Sequence, residues 1–173
     1  MLRLLSFLLL FAACSTPRRG TDALPRRDAE SLAWLPPASR DAPLLDDAHA
    51  FAPAMRDTFA AIISAFGARH GFRMQVLTVH SDRVRPLAPM DFAQQLYDRL
   101  HAAGPDGGNT LLLLVITDLD ECVTYPGAVL RRRMPERQWE RADALLTKAV
   151  RIHDYQQGIV DVLALLEREL ESK

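Results

Sequence analysis

The chain has 173 residues, 49% of them hydrophobic and 25% charged, which suits a globular protein with one sizeable core and some additional sequence. Lys plus Arg (21) nearly cancels Asp plus Glu (22), and the net charge of −1 leaves no electrostatic footprint for nucleic acid, so that class of partner is set aside.

At the start of the chain, Arg3 gives a short basic beginning and Leu4 to Phe11 an apolar run too short to span a bilayer. Ala12-Ala13 is a small-residue processing site, so residues 1–13 read as a signal peptide. Phe11-Ala12-Ala13-Cys14 resembles the bacterial lipoprotein signal, in which the cysteine becomes the lipid-bearing first residue; Phe11 stands where that signal usually carries Leu. The resemblance implies a lipid anchor on Cys14 and a place in the bacterial cell envelope, facing the periplasm. Simple cleavage with secretion to the periplasm, and an uncleaved apolar start, are the alternatives. With Cys14 taken by lipid, Cys122 has no thiol to pair with and a disulfide framework is excluded. Its β-forming neighbours make Cys122 a small buried apolar residue rather than a reactive thiol.

Residues 14–43 hold Pro17, Pro25, Pro36, Pro37 and Pro43, with Arg18-Arg19 and Arg26-Arg27 among them and no sustained apolar period. This is the composition of a solvated tether, in which Trp34 and Leu35 either dock onto the domain or stay exposed. From residue 44 to 173 the pattern is that of a folded domain. Pro53 sits at a first helical position, and Met55, Phe59, Ile62, Ile63 and Phe66 form a helical stripe that stops near Gly71. "RMQVLTV" at 73–79 reads as a strand, followed by a loop, "HSDRVRPLAP". Pro89 and Asp91 open a second helix through Phe92, Leu96 and Leu100, which "AAGPDGGN" breaks. Thr110 to Thr117 is evenly apolar, as a central strand covered on both faces would be.

Only Asp118, Leu119 and Asp120 separate that strand from another at Glu121 to Tyr125, so the two form an antiparallel hairpin. Pro135 and Glu136 open a third helix through Trp139, Leu145, Leu146 and Val150. Asp154 is the N-cap of a fourth that runs through Ile159, Val162, Leu163, Leu166 and Leu170. The strand, helix, strand order over 73–117 is a βαβ unit with parallel strands. The expected fold is therefore an α/β three-layer sandwich, a central mixed sheet with a βαβ unit and a hairpin, flanked by about four helices. Open sheets of this kind place sites beyond the carboxyl ends of their parallel strands, here His80, Ser81 and Asp82 after one strand and Thr117, Asp118, Asp120 and Glu121 after the next.

In arrangement and short motifs, residues 44 to 170 resemble the TPM domain family, which includes a thylakoid lumen protein of photosystem II repair and many bacterial envelope proteins. The motifs are "LLDDAHAFAPAMRDTFAAIISAFGARHG", "FRMQVLTVHS", "DFAQQLYDRL", the turn "GPDGGN", the strand "TLLLLVITD" and "HDYQQGIVDVL" with Tyr155 and Gly158. Two departures stand out. Asp120 occupies a place where a basic residue is common, and of a Gly-x-Gly-like turn only Gly127 remains. Many members also continue into a membrane span and a Gly-rich tail, where this sequence ends at Lys173 in a charged helix. The resemblance implies one of three roles: a weak acid phosphatase, a binder of divalent ions such as Ca2+, or an accessory factor for an envelope protein complex.

Asp118, Asp120, Asp82 and Glu121 are the candidate metal ligands, since a hard divalent cation takes oxygen donors. If the chain stays extended, Asp118 and Asp120 point to one side and Glu121 to the other. Ordinary turn chemistry competes with this, because Asp bonds nearby amides and tolerates unusual dihedrals. An apolar strand ending in Asp-x-Asp also resembles the first motif of haloacid dehalogenase-like phosphatases, with Asp118 as nucleophile and Asp120 as acid. That reading fails on Glu121-Cys122 where Gly-Thr is required. No nucleophile elbow, phosphate-cradling loop or zinc signature is present. His49, His70, His80, His101 and His153 are scattered, and Arg131-Arg132-Arg133 reads as a solvated loop. The leading expectation is a lipid-anchored binding or accessory module with a divalent cation at the strand ends. The rival is a metal-assisted phosphatase that uses Asp118, Asp120 and Asp82 around an activated water.

Overall fold

The computed structural model describes residues 32–36, 39, 41–102 and 107–171. The signal segment, Cys14 and the first part of the tether lie outside the described residues. In chain order the elements are β1 (Leu44–Asp46), α1 (Pro53–His70), β2 (Arg73–Val79), α2 (Ser81–Val84) and α3 (Pro89–Tyr97), which a π-helical turn (Asp98–Ala102) continues. There follow β3 (Thr110–Ile116), β4 (Glu121–Pro126), α4 (Ala128–Arg131), α5 (Glu136–Val150) and α6 (Tyr155–Glu171).

One sheet, ordered β1-β2-β3-β4, carries them: β1 and β3 flank β2 in parallel, and β4 returns antiparallel beside β3. Every residue of β3 is buried, which explains its unbroken apolar run. Side-chain alternation sends Leu111, Leu113 and Val115 into one core with Phe59, Ile63 and Phe66 of α1, Trp139 and Leu146 of α5, and Val162 and Leu166 of α6. It sends Leu112, Leu114 and Ile116 into a second core with Val84 of α2 and Phe92 and Leu96 of α3. The architecture is the expected three-layer α/β sandwich, with mixed pairing, the βαβ unit and the hairpin all present.

The differences from expectation are local. β1 has only three residues, too few for a periodic signal. The expected loop after β2 contains the single turn α2, and α4 is a second single turn, so among the described residues six helices stand where about four were expected. On α1 the expected stripe divides: Phe59, Ile63 and Phe66 are buried, while Met55 and Ile62 face solvent. The end of the tether docks, because Leu32 and Leu35 are 1% and 6% exposed within the second core and Trp34 lies beneath Arg83, 4.8 Å from ring centroid to guanidinium carbon.

Helix ends follow from local chemistry. Pro53 opens α1, and Gly71, with φ of 67° and ψ of 38°, closes it in a left-handed conformation that turns the chain into β2. Asp154 caps α6 by accepting from Gln157 N–H at 3.2 Å, as expected. On β4, Asp143 of α5 accepts the Thr124 N–H at 3.0 Å. Gly158 lets α5 and α6 meet closely, since a Cβ there would lie 2.5 Å from the Ala149 Cβ and 3.3 Å from Leu146 Cδ1. Gly158→Ala gains helix propensity of at most about 1 kcal/mol. The overlap costs about 1–3 kcal/mol, so a net loss of stability in urea unfolding is the expected outcome. An unchanged or raised midpoint would mean that the helices slide apart at no cost.

Candidate functional site

Because β1, β2 and β3 run parallel, the residues that follow them gather at one edge of the sheet. Three carboxylates lead this edge, and the structure gives each a different task. Asp46, the last residue of β1, is structural. Its side chain is 3% exposed; Oδ1 accepts from Ala50 N–H at 2.8 Å and from the Thr78 hydroxyl at 2.6 Å, and Oδ2 accepts from Phe51 N–H at 3.2 Å and lies 2.8 Å from Arg56 Nε. These bonds fold the β1–α1 loop. Asp47 is paired with Arg83 Nε at 3.0 Å, and Arg83 is the residue that stacks on Trp34.

Asp118 follows the central strand. Its Oδ1 accepts from the Ser81 amide at 2.7 Å and its Oδ2 from the Ser81 hydroxyl at 2.6 Å, which ties the ends of β2 and β3 together. The Ser81 hydroxyl bond, and then the Ser81 amide, hold this carboxyl below its ordinary range despite an opposing effect of burial. Next to it, His80 Nδ1 and Thr117 Oγ1 are 3.0 Å apart. A carboxyl lowered in the folded state stabilises the fold above its unfolded-state value, and this contribution disappears as pH falls through the lowered folded value. Ser81→Ala is therefore expected to move the Asp118 titration upward, toward the ordinary carboxylate range, when followed by carboxyl-carbon NMR. An unshifted curve would rule out the Ser81 hydroxyl as the main cause.

Asp120 departs from the extended geometry expected for "TDLDE". It has φ of 53°, so the strand turns there and Asp120 does not line up beside Asp118. Its Oδ1 lies 3.6 Å from His153 Nδ1 on the α5–α6 turn, and His153 Nδ1 is also 3.0 Å from the Tyr155 hydroxyl. Burial, with Asp120 nearby, raises the Tyr155 pKa. Glu121 begins β4 opposite Ile116 and is exposed; Asp82 is exposed in the first turn of α2. The four expected ligands thus share an edge. Among the described residues, however, no three His, Cys, Asp or Glu side chains converge closely enough to hold a metal ion. The donors present suit only a hydrated cation held through one or two carboxylates and water, the manner usual for magnesium.

The other singled-out residues are accounted for elsewhere. Cys122 is half-buried with its sulfur 3.3 Å from Thr147 Oγ1, and burial pushes its thiol up to about 11, so it stays protonated and unreactive at neutral pH. His101 is buried and within 3.1 Å of Gln75 Oε1, while the Gln75 amide donates to Ser39 O at 2.6 Å and Ala42 O at 2.7 Å. His70 and Arg69 both reach Glu167, whose carboxyl is held low chiefly by the His70 bond. Arg133 donates to His70 O, and Arg131 lies 3.9 Å from Glu136. Asp46 and Gln75 were not singled out from the sequence; their signal was present only as polar residues inside otherwise strand-like stretches, "LLDD" and "RMQVLTV".

A mixed four-stranded sheet between two helical layers, with a polar edge where three parallel strands end, defines a three-layer α/β domain. The chain belongs to the TPM domain family, whose model matches residues 44–169. The solution NMR structure of the N-terminal domain of a protein from P. gingivalis is similar in fold, with a TM-score of 0.64 at 20% identity, over 79% of this chain and 90% of that one. No curated protein matches the chain.

Proposed function

We propose that this protein is a binding or accessory module of the bacterial envelope, anchored through a lipid on Cys14, whose working surface is the edge around Asp118 and which takes a divalent cation there. The observation that carries this reading is Asp118 itself: it stands exposed at the tip of the central strand and is kept ionised by two bonds from Ser81. A carboxylate fixed in that state is a permanent negative anchor for a cation or a basic group. Asp120, Asp82 and Glu121 lie on the same edge without converging on Asp118, so a cation there is held through one or two carboxylates and keeps most of its water.

Calorimetric titration of the chain with calcium, magnesium and zinc tests the ion, with Asp118→Ala and Asp120→Ala as comparisons. Heat that is lost in Asp118→Ala is the expected result; no heat in the unaltered protein would sink the ion site. Phosphomonoester turnover that is lost in the same variants would replace the accessory role with a metal-assisted hydrolase. Incorporation of a clickable fatty acid, abolished by Cys14→Ser, tests the anchor, and labelling that persists in the variant would refute it.

A further inference from the structure

We propose that the same edge is a protein-docking surface and that its partner presents a basic surface with apolar pockets. This deepens the accessory-module reading above and rests on it, but it does not require a bound cation.

Of the seven large apolar side chains exposed among the described residues, four stand on the elements that frame the edge, Ile152 at 68%, Met90 at 52%, Leu119 at 39% and Met55 at 36%, while Ile62, Val129 and Val160 lie on α1, α4 and α6 away from these tips. The four at the edge come from four different elements. Met55 lies in the first turn of α1, which follows β1, and Met90 in the first turn of α3, which follows β2 and α2. Leu119 is in the β3–β4 turn and Ile152 in the α5–α6 turn. The last two turns touch, since Asp120 and His153 approach to 3.6 Å. Scattered exposed apolar residues need no explanation, but their gathering on the tips that frame one edge does. Two of them are methionines, whose flexible side chains adapt to a partner's contours.

The surrounding charge decides the partner. Asp82, Asp118, Asp120, Glu121 and Asp154 are exposed on these same turns and outnumber the exposed cations nearby, Arg85, Lys148 and Arg151. Apolar tips in a negative field complement a surface that is positive and apolar. An anionic bilayer would be repelled by that field, so a protein is the fitting occupant.

The probe is a synthetic amphipathic helical peptide with lysine on one face and leucine on the other, titrated into the full-length protein while amide shifts are recorded. Leu119→Ser combined with Ile152→Ser leaves the net charge unchanged and isolates the apolar contribution. Binding should map to 118–121 and 151–154, weaken with salt, and fall by about tenfold in the double variant, the equivalent of ~1.4 kcal/mol. Equal affinity of the double variant and the unaltered protein would overturn the proposal, as would shifts that map elsewhere or no binding at all. Protection of the same amides by phosphatidylglycerol vesicles instead would also overturn it, in favour of a membrane contact. Because the peptide carries no metal, a silent calcium titration would leave this docking surface standing, and a silent peptide titration would leave the ion site standing.

Discussion

Replacing Asp46 with alanine is expected to lower the unfolding free energy by about 2–4 kcal/mol, because two loop amides and the Thr78 hydroxyl lose a buried acceptor, while Arg56, a third exposed, turns to water. The carboxylate is almost wholly enclosed and serves two loop amides, the Thr78 hydroxyl and Arg56 at once. Without it, Arg56 keeps its contact with His49 Nδ1 at 2.9 Å, and the Ala50 and Phe51 amides lose their partner. Phe51 is 1% exposed and stacks against Phe59 at 5.4 Å, so the defect reaches the first core. Asp46→Asn keeps the shape and some of the accepting capacity, and its loss should be smaller. Urea unfolding measures both. A loss of less than about 1 kcal/mol in Asp46→Ala would show that the loop closes through its apolar contacts alone.

Leu32→Ala is the second large effect, at about 2–5 kcal/mol for a buried leucine cut back to alanine. Leu32 lies before the segment that the family model covers, yet it is 1% exposed in the second core. If the segment were a free tether, the substitution would change stability by no more than about 0.5 kcal/mol. Ala33→Ser, at an exposed neighbouring position, is the control that should change nothing. A protein begun at residue 44 would lack Leu32 and Leu35, both buried in the second core, and should lose stability accordingly.

What was legible in the sequence was whatever carries a period or a terminator. β3 announced itself by an apolar run that only a strand covered on both faces can have, and α5 and α6 by stripes bounded by Pro135 and Asp154. β1 was not legible because three residues hold no period, and α2 because a single turn is set by packing rather than pattern. At the site, placement was legible and geometry was not. The βαβ order put Asp118, Asp120 and Asp82 on one edge, but the left-handed φ of Asp120 depends on the tight hairpin, and the clasp of Ser81 on Asp118 depends on the register of β2 against β3. Asp46 shows the same limit from the other side: "LLDD" offers two adjacent acids, and only the fold shows that the first is enclosed and the second paired with Arg83.

The bond from Thr124 to Asp143 has a further meaning for how copies of this domain meet. β4 is the longer of the two outer strands, and Cys122, Val123, Thr124 and Tyr125 are residues that readily recruit another strand. Asp143 occupies the Thr124 amide, and Pro126 at the end of the strand has no amide to offer. The opposite outer strand is β1. Two positions on the outer side of β4 thus offer no free amide and β1 has only three residues, so each flank is a weaker template for an added strand.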